Sequence, residues 1–315
     1  MAKIAIVGAG FVGRAWAIAF ARAGHDVALW DADAEAPRRA IAFAHEVLPD
    51  LAACDLLNGR SPADVLARIG IAAAPEEAVA DADHVQENAP ERLDVKVELF
   101  ARLDGLAPPD AVLASSSSAI LPSKFTEALA GRQRCLVAHP INPPYLVPAT
   151  EVVPAPWTSP EAVERTRKLL VSAGQAPIVM KRELDGFIMN RMQGVLLEEA
   201  FRLVADGYAT VEDIDIGIRE GLALRWSFMG PFETIDLNAP GGVRDYVERY
   251  QDIYAKLFGQ MQRRVDWGGA VLETVERERR QRLPEAGLAQ RLIWRDRRLM
   301  ALIAQKKRAA REIGE

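Results

Sequence analysis

Lys3-Ile4-Ala5-Ile6-Val7-Gly8-Ala9-Gly10-Phe11-Val12-Gly13 stands near the start of the chain, and Asp31 follows 18 residues after the last of these glycines. Ala2 to Val7 reads as a β-strand, and Phe11 to Ala23, closed by Gly24, reads as a helix. The glycines occupy the joint between the two. Gly8 permits a tight turn, Gly10 lets a ligand approach the backbone closely, and Gly13 lets helix and strand lie against each other. The helix N-terminus then offers free N–H groups and the positive end of its dipole, a fitting partner for a pyrophosphate. The whole loop, Phe11 and Val12 included, is therefore the candidate cradle for a dinucleotide. A second strand, Val27 to Trp30, ends at Asp31, whose carboxylate can accept from ribose hydroxyls and repel a 2′-phosphate. Ala32 follows it, and Arg38 and Arg39 come only a turn or two into the next helical stretch, so NAD is expected over NADP, with FAD as a competitor.

Outward from this unit, short β-rich runs keep alternating with helical ones. Further strands are expected near Ile69–Ala72, His84–Gln86, Ala111–Ser115, Cys135–Ala138 and Pro177–Val179. Leu93, Val97, Phe100 and Leu103 recur at helical spacing after Pro90. Such alternation predicts an α/β domain of Rossmann type, a doubly wound and mostly parallel sheet covered by helices, over residues 1–184. After Lys181 the strand signals fade. Residues 185–315 are expected to form an all-helical domain for substrate binding and dimerisation, beginning at Asp185-Gly186, where Asp185 can cap a helix carrying Ile188, Met192, Val195, Leu196 and Leu203 as its apolar stripe. Trp226, Phe228 and Met229 read as core, with substrate contact as the alternative, and the arginine-rich stretches from Glu276 to Arg282 and from Arg295 to Arg311 as solvated helix faces, with a homodimer contact as the alternative.

Composition narrows the function. Half of the 315 residues are hydrophobic and 26% are charged, the balance of a chain with a substantial core. With 39 basic and 44 acidic side chains the net charge is −5. That supplies no overall positive field for nucleic acid or an anionic membrane. No signal peptide or membrane-length apolar run is seen. Two distant cysteines, Cys54 and Cys135, form neither a disulfide framework nor a metal motif, so no metal and a reducing cytoplasm are expected.

Four histidines are present, and His139 is the one at the end of an expected strand, where parallel-sheet enzymes place their ligands. Pro140-Ile141-Asn142-Pro143-Pro144 follows it, and Glu151 begins an apolar run twelve residues on. A carboxylate bound to one imidazole nitrogen fixes the tautomer and frees the other nitrogen to take a hydroxyl proton, as alcohol oxidation requires. Ser118, in the Ser115–Ser118 run, and Asn190 are suitable donors to the reacting oxygen. On the residues alone a histidine before a proline-rich loop is more often a structural group, with Glu151 a strand-end charge and the serines a turn.

Taken together, Gly8-x-Gly10-x-x-Gly13, Asn88-Ala89-Pro90-Glu91 with Lys96, Ser115–Ser118, His139-Pro140-x-Asn142-Pro143, Glu151-Val152-Val153 and Gly186-Phe187-Ile188-x-Asn190-Arg191 resemble the 3-hydroxyacyl-CoA dehydrogenase family over nearly the whole chain. The resemblance implies that His139 and Glu151 form the catalytic pair and that Ser118 and Asn190 hold the reacting oxygen. It implies that Asp31, Glu91, Lys96, Ser118 and Asn142 help to bind NAD, and that the protein is a homodimer. Pro122-Ser123-Lys124, Gly230-Pro231-x-Glu233-Thr234 and Trp294-Arg295-Asp296 are similar to a branch acting on L-gulonate, and Leu224–Gly230 to one acting on L-carnitine.

Acyl-CoA enzymes of the family carry lysines after the second strand, whereas this chain has none between Lys3 and Lys96. Arg38, Arg39, Arg60 and Arg68 are the cations that could replace them. A free 3-hydroxy acid is therefore the expected substrate, with Arg225 a candidate partner for its carboxylate and a surface or interface role as the alternative. The reading of another class is a protein that binds NAD without turning anything over.

Overall fold

A computed structural model describes residues 1–314. The chain folds as β1 (Lys3–Val7), α1 (Phe11–Arg22), β2 (Asp26–Trp30), α2 (Glu35–Ala53), α3 (Pro62–Leu66), β3 (Ile69–Ile71), α4 (Pro75–Val79), β4 (His84–Glu87), α5 (Leu93–Leu106), β5 (Val112–Ser115), α6 (Pro122–Thr126), β6 (Cys135–Pro140), β7 (Ala149–Pro154), α7 (Pro160–Ser172) and β8 (Ala176–Val179). Helices then take over: α8 (Met189–Ala205), α9 (Val211–Ile216), α10 (Ala223–Trp226), α11 (Pro231–Leu237), α12 (Gly242–Gln260), α13 (Ala270–Arg282) and α14 (Leu288–Ile313).

Eight strands form one sheet in the order β3-β2-β1-β4-β5-β6-β7-β8. All neighbours are parallel except β6 and β7, which form an antiparallel hairpin. Successive side chains of β1 point to opposite faces, as the two-residue period requires. Ile4 and Ile6 join Trp16, Phe20, Leu29 and Leu48 on one side. Ala5 and Val7 join Val85, Phe100, Leu113 and Phe125 on the other. This is the Rossmann-type doubly wound sheet that the alternation predicts, and its strand order reverses between β1 and β4, at the glycine loop.

Two compact units emerge, one of Met1–Asn190 with Trp294–Glu315 and one of Arg191–Ile293. Within the second, Glu198 of α8 accepts from the Val265 amide and the Trp267 indole, both at 2.9 Å, and Phe201 stacks on Trp267. Thr210 and Asp213 form a reciprocal cap on α9. The expected stripe of the first long helix is largely uncovered here, with Met192 58% and Val195 65% exposed. Phe228 is not core: it follows the four-residue α10 in a turn and is 73% exposed.

Two local expectations change with tertiary context. On α5 the buried face is Lys96, Phe100 and Leu103, while Leu93 and Val97 face outward, because Glu87 at the end of β4 draws the Lys96 ammonium inward. The start of α8 has an acceptor that local spacing does not suggest: Gly186 and Phe187 both take positive φ, and the Ile188 and Met189 amides turn to the Glu151 carboxylate of β7.

Candidate functional site

The glycine loop has the geometry its spacing requires. A Cβ on Gly13 would lie 1.8 Å from the Gly8 carbonyl oxygen, so helix and loop touch there. Gly8, at φ 95°, lies against the backbone of Asn88. At Gly10 an added Cβ would meet nothing within 4 Å, so that face of the loop is open. Asp31 accepts from the Ala9 amide at 2.7 Å and the Asp33 amide at 2.9 Å, tying the end of β2 to the loop. Each carboxylate oxygen retains further acceptor capacity. A cavity of about 540 Å³ opens beside it, lined by Gly8, Gly10, Trp30, Asp31, Asn88 and Pro90 among others. Open backbone at Gly10, a carboxylate and an apolar cavity together fit the pyrophosphate, ribose and base of a dinucleotide. Phe11, at the mouth of the loop, is 71% exposed and carries the Arg14 guanidinium 4.5 Å from its ring centroid. Val12 is half-buried.

Arg38 and Arg39 are engaged by Glu35 and Asp33. The other two candidate cations also have internal partners, since Arg60 donates to the Arg22 carbonyl and Arg68 to Asp26.

Beyond β4 lies a buried ionic network that sequence reading reached only in part. Lys96, 1% exposed, donates to both oxygens of Glu87 at 3.0 Å and to Ser115 Oγ at 3.3 Å. Glu91 stands 4.0 Å from the same ammonium. Burial pushes the Glu87 carboxyl above the usual carboxylate range, with Lys96 and Ser115 opposing it. Glu91 Oε1 accepts from the Ser117 hydroxyl and from the amides of Ser118, Ala119 and Ile120, so one carboxylate shapes the serine loop. Burial disfavours its ionised form, but these donors and Lys96 prevail and hold its pKa below the ordinary value. Lys96 and Glu91, which the family resemblance assigns to NAD binding, are thus placed to shape the loop beside the cradle, Lys96 from beneath it. Glu87 was missed because nothing local distinguishes a strand-end glutamate that meets a lysine nine residues later.

The hairpin of β6 and β7 sets His139 opposite Glu151 in register. His139 Nδ1 lies 2.7 Å from Glu151 Oε2, and the pair is buried, His139 5% and Glu151 0% exposed. Glu151 Oε1 accepts from the Ile188 and Met189 amides at 2.6 and 2.9 Å. Burial opposes ionisation of this carboxyl, yet the bonds from His139, Met189 and Ile188 outweigh it, and its pKa falls below the ordinary value. The positive end of the α8 dipole acts in the same direction. With Nδ1 held, Nε2 is the nitrogen turned away from the carboxylate. Phe187, at φ 49°, places its ring 5.5 Å from the imidazole and walls one side of it.

Asn190 Nδ2 donates to the Ser118 carbonyl at 2.6 Å, which brings these two residues together. Asn142 is exposed in the loop after β6 and precedes a cis proline peptide bond. Arg225 lies on α10 in the second unit, where its carbonyl accepts from the Phe228 and Met229 amides. Among the described residues no helix is long and apolar enough to cross a membrane, and no cluster of three or more His, Cys, Asp or Glu could hold a metal.

Sequence comparison places this geometry among known proteins. Residues 3–183 match the 3-hydroxyacyl-CoA dehydrogenase NAD binding domain, and residues 186–281 match the C-terminal domain of the same family. A lambda-crystallin homolog from Bos taurus is 40% identical over 306 residues, covering 96% of this chain and 95% of that protein. An L-carnitine dehydrogenase from Streptomyces griseus is 42% identical over 252 residues, 79% of this chain and 73% of its own. Among solved structures, an NAD-dependent FHMPC 5-dehydrogenase described as a dismutase superimposes with a TM-score of 0.82 at 27% identity, over 97% of this chain and 99% of that one.

Proposed function

The chain belongs to the 3-hydroxyacyl-CoA dehydrogenase family, NAD-dependent oxidoreductases acting on CH–OH groups, and from that premise we propose that it oxidises the 3-hydroxyl of a free hydroxy acid to a ketone, with His139 as base. The observation that carries this reading is the 2.7 Å contact between His139 Nδ1 and Glu151. Glu151, held ionised by two backbone amides, fixes the proton on Nδ1 and leaves Nε2 as the acceptor. Nε2 then takes the hydroxyl proton, and the carboxylate stabilises the imidazolium that forms. Ser118 and Asn190, joined at 2.6 Å, are the proposed donors to the substrate oxygen as it gains carbonyl character. NAD, when bound, accepts the hydride. Gly8, Gly10, Phe11, Val12 and Gly13 are its proposed cradle, Asp31 its ribose partner, and Glu91, Lys96, Ser118 and Asn142 complete that side.

Two features favour a free acid over a CoA thioester. No lysine stands between Lys3 and Lys96, and the four candidate replacements, Arg38, Arg39, Arg60 and Arg68, each have a partner within the protein. L-gulonate is the first substrate to try, from the resemblance to the lambda-crystallin or L-gulonate 3-dehydrogenase branch, and Arg225 is the proposed partner of its carboxylate. L-carnitine and 3-hydroxybutyryl-CoA are the competing substrates. The helical segment after residue 184 is assigned substrate and homodimer contacts. In support, α12 buries no residue, and Val243, Val247, Ile253, Leu257 and Phe258 on it are exposed. Two free cysteines suit a reducing cytoplasm.

NADH formation measured with L-gulonate, 3-hydroxybutyrate, L-carnitine and 3-hydroxybutyryl-CoA tests the reading. Turnover of a free acid is expected. Turnover of the thioester alone would refute the substrate class, and no turnover with any of them would refute the activity.

A further inference from the structure

His139 and Glu151 are joined by a single loop, residues 141–148, because β6 and β7 form one hairpin. A shift at the tip of that loop is transmitted to both. The tip has three polar anchors. Gln175 Nε2 donates to the Pro144 carbonyl at 2.9 Å, and the buried Arg22 guanidinium donates to the Tyr145 carbonyl at 2.7 Å. The third anchor comes from far along the chain, where the Tyr145 hydroxyl donates to Asp296 Oδ2 on α14 at 3.0 Å. Asp296 lies beyond residue 281, outside both stretches that match the family's domains.

Around this contact the C-terminal helix is docked by groups that do not depend on Asp296. Met300, 1% exposed, belongs to the same core cluster as Tyr145, with Leu299 and Ile303 packed against it. Arg297 pairs with Asp50 of α2. Tyr145 is itself 1% exposed, with the Phe43 ring 6.2 Å away at a steep angle and Arg14 stacked on Phe43. Burial, with Asp296 adding to it, pushes the phenol far above its ordinary pKa, so it remains a donor at any working pH. A carboxylate acceptor makes the bond charge-assisted. The tail that reads in sequence as a solvated arginine face thus has one face committed to the catalytic hairpin.

We propose that Asp296 is a positioning residue: through Tyr145 the C-terminal helix holds the loop joining His139 to Glu151 and so sets the contact between them. The proposal rests on reading that pair as the base. It is tested with three variants: Tyr145→Phe, which keeps the ring; Asp296→Leu, which removes the acceptor; and Asp296→Asn, which keeps an acceptor oxygen. A misplacement of about 1 Å can cost about 10²-fold in rate, and a loosened hairpin tip should move the pair by a fraction of that. The Phe and Leu variants should therefore lose about tenfold in kcat at unchanged KM for NAD, with a larger deuterium isotope effect from substrate labelled at C3, while the Asn variant stays within about twofold.

The deciding readout is the His139 Nδ1 proton, observed by NMR in ¹⁵N-histidine-labelled protein without NAD. In the wild type, its bond to Glu151 places it far downfield. It should move upfield in the Phe and Leu variants and stay in place in the Asn variant. A resonance at the wild-type position in folded Tyr145→Phe protein overturns the proposal, whatever kcat does. Because it needs no substrate, this result is independent of whether the assigned activity holds.

Discussion

Glu151→Gln replaces one carboxylate oxygen by nitrogen and leaves shape and packing alone. In the native protein Oε1 receives two backbone N–H groups, from Ile188 and Met189, and Oε2 receives His139 Nδ1. Two backbone donors can be met only by an oxygen, so the glutamine must keep its carbonyl there and turn its NH₂ group toward the imidazole. An NH₂ facing Nδ1 requires that nitrogen to accept. The ring proton is thereby driven onto Nε2, the nitrogen that has to take the alcohol's proton. In the serine protease triad, the analogous Asp→Asn exchange lowers kcat about 10⁴-fold through the wrong tautomer. A loss of about 10³ to 10⁴ is expected here, or about 4 to 5.5 kcal/mol at about 1.4 kcal/mol per factor of ten. NADH formation at saturating substrate gives kcat, and a fluorescence titration gives the Kd for NAD, which should not change. The variant should also lose a pH dependence. Glu151 has a folded pKa below its unfolded one, so its stabilising contribution is full above the unfolded value and disappears as pH falls through the folded value. A kcat within tenfold of wild type, in a variant whose His139 carries its proton on Nε2, would refute the tautomer argument.

Gly10→Ala should leave the unfolding midpoint unchanged, since φ is −69° and the added methyl meets nothing within 4 Å, yet weaken NAD binding by about tenfold or more; equal affinity would mean the dinucleotide does not lie on this face. His84 is fully buried, and desolvation lowers its pKa from 6.5 to about 4. Native stability should therefore fall as pH drops from about 6.5 toward about 4, by about 3 kcal/mol in total, and His84→Asn should flatten that interval in chemical unfolding. Lys96→Met strands the buried Glu87 carboxylate and should cost about 3–5 kcal/mol near neutral pH. Adding Glu87→Gln should recover most of this loss, and a Lys96→Met protein as stable as wild type would contradict the pairing.

Sequence carried the fold wherever the governing chemistry was local. The glycine spacing between β1 and α1, the β2 end at Asp31, and the change from strands to helices after Lys181 all rest on conformational rules within a few residues. For the candidate site, the residues alone favoured a structural His139 and a strand-end Glu151, and the family resemblance singled them out as a pair; the antiparallel register explains why residues twelve apart face each other. Less was legible where tertiary contact overrides a local preference. A lysine does not advertise its own burial, so Lys96 displaced the apolar stripe expected on α5. Nothing local marks Glu151, 37 residues from Ile188, as an acceptor for the first amides of α8. Asp296 and Tyr145 are 151 residues apart, and no periodicity connects them. The apolar stripe expected on α8 is largely exposed because sequence pattern does not distinguish a surface covered by the same chain from one that is not.

His139 as acceptor of the alcohol's proton is the proposal on which the rest depends. A single-turnover experiment, with enzyme and NAD in excess over the hydroxy acid, isolates that step from product release. His139→Ala should form NADH at least about 10²-fold more slowly than wild type while binding NAD equally well. NADH formation at the wild-type rate by the alanine variant would contradict it.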